Sequence, residues 1–293
     1  MGVGAPGSLA STAKITALWR YPVKSMSGEA IRESEVSASG LLGDRRYAVL
    51  DLETGTVASA KQPRRWRALL QCRARYLTEP VDDRTPAPAL ITLPNGSSVR
   101  TDAADIDARL SAALGRPVRL IASAPEGIRR DADRSALERL RSGDVVQREP
   151  LAMLAPAGTF FDLAPIHLLS STSLARFNPP GASGPFDPRR FRPNLVIASD
   201  APVEELSWLG RTVACGPMVR LLIVDPCPRC VMTTLVQGDL PNDPNVLRTA
   251  HGTPPVASLT AAPGKVFPAI VGVYGGVVET GFLRVGDQAG ATD

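Results

Sequence analysis

Asp225-Pro-Cys-Pro-Arg-Cys-Val-Met-Thr-Thr234 holds two of the chain's four cysteines, set three apart around Arg229, and runs on into β-branched residues. A thiolate so placed can be a soft metal ligand, a redox thiol or a nucleophile. Thioredoxin-like Cys-x-x-Cys pairs open a helix, whereas Val231, Thr233 and Thr234 favour a strand, so a strand is expected over 229–235. A structural zinc site would need four ligands, and the remaining Cys72, Cys215, His167 and His251 are nowhere paired in sequence. A plain pair of buried thiols stays open as the alternative.

Outward from this stretch the pattern is of short strands separated by turn signals. In the C-terminal half strands are expected at 166–169, 193–199, 211–215, 219–224, 269–279 and 282–285. Ser170-Ser-Thr-Ser173 caps a short helix running to 177. Pro/Gly-rich loops fill 178–190 and 241–264. In the N-terminal half strands are expected at 15–21, 31–36, 47–50 and 66–76, with Asn95-Gly96 turning a hairpin between 91–93 and 97–99. The apolar spacing Ile106, Leu110, Leu114 predicts a helix over 102–114 that Gly115 stops, and a strand follows at 117–121. Residues 125–148 are charged, with a short helix around 135–140, and read as a linker or lid. No internal repeat is present. The fold class that results is α+β, β-rich and barrel-like. The division expected is a disordered tail at 1–12, an N-terminal β-rich domain at 13–122, a linker or lid at 123–150 and a second domain at 151–288. Residues 13–46 are free in this scheme to pack with that second domain.

The 293 residues suffice for one large domain or two ordinary ones, and 44% hydrophobic with 21% charged residues describes a globular chain. No apolar run approaches the roughly 18 residues of a membrane helix, and Met1–Thr12 lacks the marks of a signal peptide, so a cytoplasmic protein is expected. The net charge of +4 is carried almost wholly by arginine, the only lysines being Lys14, Lys24, Lys61 and Lys265. Without a long Lys/Arg block or basic–aromatic interleaving, nucleic acid is not an expected partner.

Three further clusters carry chemistry. In Tyr21-Pro-Val-Lys-Ser25 and Gly43-Asp-Arg-Arg46, Lys24, Ser25 and Arg45 offer an ammonium, a hydroxyl and a guanidinium suited to a phosphate. In Arg189-Arg-Phe-Arg-Pro-Asn194, close arginines repel one another unless an anion or carboxylate sits among them, although Asp187 can neutralise one. Tyr274 lies in a glycine-rich apolar run where a ligand could approach the backbone.

In this order, the motifs Tyr-Pro-Val-Lys-Ser, Gly-Asp-Arg, Phe-Arg-Pro-Asn, Cys-Pro-Arg-Cys-Val-Met-Thr-Thr and a Tyr before a terminal Val-Gly-Asp resemble the MOSC family. The nearest branch is that of the mitochondrial amidoxime reducing component and its bacterial relatives. The resemblance runs from about Lys14 to Asp287. It implies a MOSC-type β-barrel with an associated N-terminal β-rich domain, holding a molybdenum cofactor of the molybdopterin type. Carried over by motif position, Cys230 is the metal ligand and catalytic residue. Lys24, Ser25, Arg45, Arg192, Asn194 and Tyr274 bind the cofactor, and Thr233 and Thr234 support the cysteine loop. The implied reaction is two-electron reduction of amidoximes, hydroxylamines or N-hydroxylated bases. No cysteine follows Cys230 in these 293 residues, so the fused iron–sulfur domain of some relatives is not expected, and a separate electron-transfer protein, of ferredoxin or flavoprotein type, is. Two departures stand out. Pro228 offers no N–H where relatives often carry a small polar residue, and Leu-Val-Gln-Gly follows Thr234 where Val-Asp-Pro is common. Two other readings stay open: a sulfur-carrier or cofactor-handling protein with a persulfide on Cys230, and a pyridoxal phosphate Schiff base on Lys24. The role of Cys227 is left undecided.

Overall fold

The structure is a computed structural model and describes residues 13–133, 145–177 and 185–292. Seven strands close into a barrel: β1 (Ala13–Arg20), β2 (Ile166–Ser170), β3 (Leu195–Ala198), β4 (Thr212–Cys215), β5 (Val219–Pro228), β6 (Ile270–Glu279) and β7 (Gln288–Ala291). The order around it is β3-β2-β6-β5-β4-β7-β1, and β1 pairs back onto β3 to complete the ring. All neighbours are antiparallel except β2 and β3.

Period-2 patterning explains the inner face. On β5, Val219, Leu221 and Ile223 are buried in alternation, and Asp225, Pro226 and Cys227 are all buried beyond them. On β1 a register shift between Ile15 and Ala17 lets both Ile15 and Leu18 face the core, which strict alternation would forbid. Ile15, Leu18, Val219, Leu221 and Ile223 join Ile166, Leu168, Leu195, Ile197, Val213 and Val273 in one apolar cluster.

A second cluster forms the N-terminal unit, around Trp66, Leu69, Ile91, Leu110 and Val118. Its helix Ile106–Leu114 ends at Gly115 with φ +68°, the left-handed cap expected of that glycine. The hairpin Ala89–Thr92 with Ser98–Arg100 turns at Gly96, φ +83°. The chain thus lends its first strand to the C-terminal barrel before building the N-terminal unit.

Several expectations need correction. The segment 66–76 is not one strand: Pro63–Trp66 is helical, Arg67–Gln71 is a 3₁₀ turn, and only Arg73–Tyr76 is extended. Pro63 at the first helical position nucleates that helix. Within 241–264, Asn245–His251 is helical, with Val246 and Ala250 buried. The linker around 125–148 contributes paired strands, Arg129–Asp133 with Val146–Pro150. The helix expected around 135–140 lies outside the described residues. Most consequentially, no strand spans 229–235: β5 reaches Pro228, and Val231–Thr234 is a 3₁₀ turn that Cys230 caps. Register shifts at Ile223/Asp225 and Pro226/Pro228 let β5 carry two prolines, which donate nothing to a ladder. Among the described residues, no helix is long and apolar enough to cross a membrane.

Candidate functional site

The turn that follows β1 lays Tyr21–Ser25 against Gly43–Tyr47. Lys24 N donates to Tyr47 O at 2.8 Å, and Arg45 N donates to Tyr21 O at 2.9 Å. Both Ser25 and Arg45 adopt positive φ, +63° and +49°, as does Arg192 at +56°, so three predicted binding residues sit in backbone that side-chain-bearing residues adopt rarely.

One cavity collects most of the predicted residues. Lys24, Arg45, Arg192, Asn194, Cys230 and Tyr274 line it together. Ser25 does not: it is buried, and its Oγ accepts from Ala60 N at 3.2 Å inside the N-terminal unit. Asn194 serves as a latch. Its Nδ2 donates to Asp44 Oδ2 at 2.8 Å and to Trp19 O at 3.2 Å, while its Oδ1 accepts from His167 N at 3.1 Å. The side-chain amide therefore fastens the barrel to the Gly43–Arg45 turn and has little left to offer a ligand.

Tyr21 lies between two guanidinium groups, Arg45 at 4.4 Å and Arg192 at 4.3 Å from its ring centroid. Burial pushes its phenol up to about 12 despite both arginines, so it stays neutral. Burial and the neighbouring Arg45 push Arg192 down to about 10. Lys24 is pushed down to about 7, burial outweighing the attraction of Asp162. Its Nζ donates to Asp162 Oδ1 at 2.5 Å and to Phe160 O at 2.8 Å. His167, deep in the barrel, is pushed down to about 3 by burial first and by Arg229 next, and is neutral; its Nε2 lies 3.1 Å from Val271 O.

Charge balance is uneven across the cavity. Asp162 and Glu149 face Lys24, Lys61 and Arg130, and Asp44 faces Arg45. Arg190, Arg192 and Arg229 also line the cavity, and among the described residues none has a carboxylate within ion-pair distance. Their donors go to backbone carbonyls: Arg190 to Pro241 O at 2.8 Å, Arg192 to Met26 O at 2.6 Å, and Arg229 to Phe191 O at 2.6 Å. Arg229 also donates to Cys227 Sγ at 2.7 Å, and its Nε is buried with no partner. Arg190 and Arg192 are buried and Arg229 is partly buried, and such cations without counter-charges are costly unless an anion joins them.

The two cysteines are held differently. Cys227 is fully buried on β5, whereas Cys230, beyond the strand's end, is partly exposed at the cavity wall. Thr233 pins this turn, its N and Oγ1 donating to Cys230 O at 3.2 and 3.0 Å. Reading the sequence missed His167, Lys61, Asp162, Arg190 and Arg229 as members of the cavity. One signal was present: in a chain with four lysines, the rarity that singles out Lys24 applies equally to Lys61.

Residues 12–108 match the MOSC N-terminal beta barrel domain and residues 157–289 the MOSC domain. The mitochondrial amidoxime reducing component 2 of Rattus norvegicus is 25% identical, over 93% of this chain and 81% of its own length. The mitochondrial amidoxime-reducing component 1 of Homo sapiens is 26% identical, over 75% of this chain and 66% of its own. Molybdenum cofactor sulfurase of Danio rerio is 27% identical over 76% of this chain but only 28% of its own length.

Proposed function

The chain is a MOSC-domain protein with the MOSC N-terminal beta barrel domain ahead of it, and from that premise we propose a molybdenum-cofactor-binding oxidoreductase that reduces N-hydroxylated compounds. Amidoximes, hydroxylamines and N-hydroxylated bases are its substrates, and a separate protein delivers the electrons. The observation that carries this reading is the meeting of a partly exposed cysteine with two buried guanidinium groups, Arg190 and Arg192, and the partly buried Arg229, none of which has a carboxylate partner among the described residues. Such a donor set fits a molybdopterin-type group, which combines a soft metal with a phosphate.

Cys230 supplies the thiolate ligand from a turn that Thr233 and Thr234 hold closed. Arg192, Arg190 and Arg229 bind the anionic part, and Arg45 and Lys24 complete the basic rim. Tyr21 orients two of these guanidiniums by lying between them and carries no charge of its own. Asn194 contributes by holding both halves of the cavity in register, and Ser25 by setting the turn that presents Lys24. Tyr274 forms a wall. When bound, the metal supplies the two-electron, oxygen-accepting chemistry that no side chain here provides. Pyridoxal phosphate is not part of the proposal, since Lys24 Nζ is engaged by Asp162 and Phe160 O.

The test is metal analysis of protein made in a molybdenum-replete, cofactor-competent host, beside Cys230→Ser. About one molybdenum per chain and benzamidoxime reduction are expected in the parent, with the metal or the activity severely reduced in the variant. Labile sulfur on Cys230 together with ready release of the cofactor would instead favour a sulfur-carrier role, the alternative that similarity to molybdenum cofactor sulfurase supports.

A further inference from the structure

A second cavity, of about 330 Å³, adjoins the first and shares Lys61, Asp162, Pro228 and Tyr274 with it. Beyond that common wall its lining changes character, with Met153, Leu163, Pro226, Ala262 and Phe267 presenting apolar surface. Its volume falls in the range of small-molecule sites.

Asp225, the opening residue of the cysteine stretch, builds one side of this cavity. Its carboxylate accepts from Leu259 N at 2.8 Å, Thr260 N at 3.3 Å, Thr260 Oγ1 at 2.7 Å and Ala261 N at 2.7 Å. Burial alone would raise its pKa, but these bonds outweigh burial and hold it below the ordinary carboxylate range. Ser258 ties the same loop to itself: its Oγ accepts from Ala262 N at 2.9 Å and its N donates to Lys265 O at 2.9 Å. The wall that Ala262 presents is therefore fixed before any ligand arrives.

Most charges in the cavity are already committed, Lys265 lying 5.0 Å over the Phe267 ring. Asp225 is saturated by the loop, and Glu149 and Asp162 face Arg130, Lys24 and Lys61. What remains is a largely apolar chamber, with Lys61 and Tyr274 at the end that opens toward the cysteine loop and Lys265 against Phe267. A purine or pyrimidine would need both donors and acceptors along its ring edges; Met153, Leu163, Pro226, Ala262 and Phe267 supply neither from their side chains, and Lys265 supplies donors alone.

We propose that this chamber holds the body of the substrate and selects aryl and alkyl amidoximes over N-hydroxylated bases. Asp225 acts as a positioning residue for its wall. This rests on the function proposed above. The amidoxime's N–O head passes the Lys61–Asp162–Pro228–Tyr274 wall into the cysteine-lined cavity. There the N–O bond breaks, and two electrons from the donor protein with two protons yield the amidine and one water.

Ala262→Trp, which fills the chamber, and Phe267→Ala, which strips its wall, test this with two measurements. First, ¹⁹F NMR follows binding of 4-fluorobenzamidoxime; the parent binds it, and each variant is expected to weaken binding at least fivefold. Second, turnover of benzamidoxime is compared with that of hydroxylamine, which has no body to place, with molybdenum assayed on the same samples. Ala262→Trp should lower kcat/KM for benzamidoxime at least tenfold more than for hydroxylamine. Equal losses on both substrates, or unchanged binding of the fluorinated probe by both variants, would overturn the assignment. If the parent holds no molybdenum, the reductase reading fails, while the NMR titration still decides whether the chamber takes an aryl amidoxime.

Discussion

Asp162→Asn should destabilise the protein through the cations it leaves behind. The Asp162 carboxylate meets Lys24 Nζ at 2.5 Å, Lys61 Nζ at 3.4 Å, and Arg130 Nη1. Lys24 and Arg130 are only 5% and 4% exposed; removing their shared counter-charge strands Lys24, while Arg130 keeps only Glu149. Breaking a buried ion pair by deleting one partner costs about 3–5 kcal/mol. The Asp162 side chain is 29% exposed, so water replaces part of the loss and the lower end, about 3 kcal/mol, applies. At roughly 2–4 °C per kcal/mol for a large domain, the melting point falls by roughly 6–12 °C. Adding Lys24→Met removes the stranded charge, so the double variant should recover at least about 1.5 kcal/mol relative to the sum of the single changes. Urea unfolding of metal-free protein at pH 7, on all four members of the cycle, measures both quantities. A loss below about 1 kcal/mol in Asp162→Asn, or strict additivity in the double variant, would refute the reasoning.

Lys24 also makes stability depend on pH. Its pKa is about 7 in the fold against 10.5 unperturbed, so between these values the unfolded chain binds more protons. Stability therefore rises with pH across that window, by at most about 5 kcal/mol, and the parent-minus-Lys24→Met difference should show it; a flat difference refutes the assignment. Gly272→Ala should cost at least about 3 kcal/mol, because its Cβ would lie 2.4 Å from His167 Nε2 and 2.6 Å from Leu168 O at φ +82°. Gly96→Ala, at φ +83° in open space, should cost only about 1 kcal/mol by the same melt, and equal losses would contradict this account.

Much of the architecture was legible because it is local. Alternation marks β4 and the first half of β1, an apolar run marks β6, Gly115 stops its helix, and Asn95-Gly96 turns its hairpin, each through the conformational preferences of a few adjacent residues. Intrinsic strand preference misled where side-chain bonds three residues back decided. Val231, Thr233 and Thr234 carry β-branched side chains, yet the threonine hydroxyls close a 3₁₀ turn on the carbonyls of Cys230 and Val231. Motif order gathered Lys24, Arg45, Arg192, Asn194, Cys230 and Tyr274, but Ser25, adjacent to Lys24, turns its hydroxyl away to Ala60.

By itself the sequence determined a β-rich chain with sulfur beside a concentration of arginine, since composition and period-2 patterning belong to single segments. Tertiary structure alone decided that β1 closes the barrel against β3, 180 positions away, because strand pairing at such separation leaves no mark on either segment. It likewise decided which cations keep a carboxylate and which do not. Asp44 reaches Arg45 and Asp162 reaches Lys24, while Arg190, Arg192 and Arg229 rest on carbonyl oxygens; that difference comes from distance in space, which residue order does not encode.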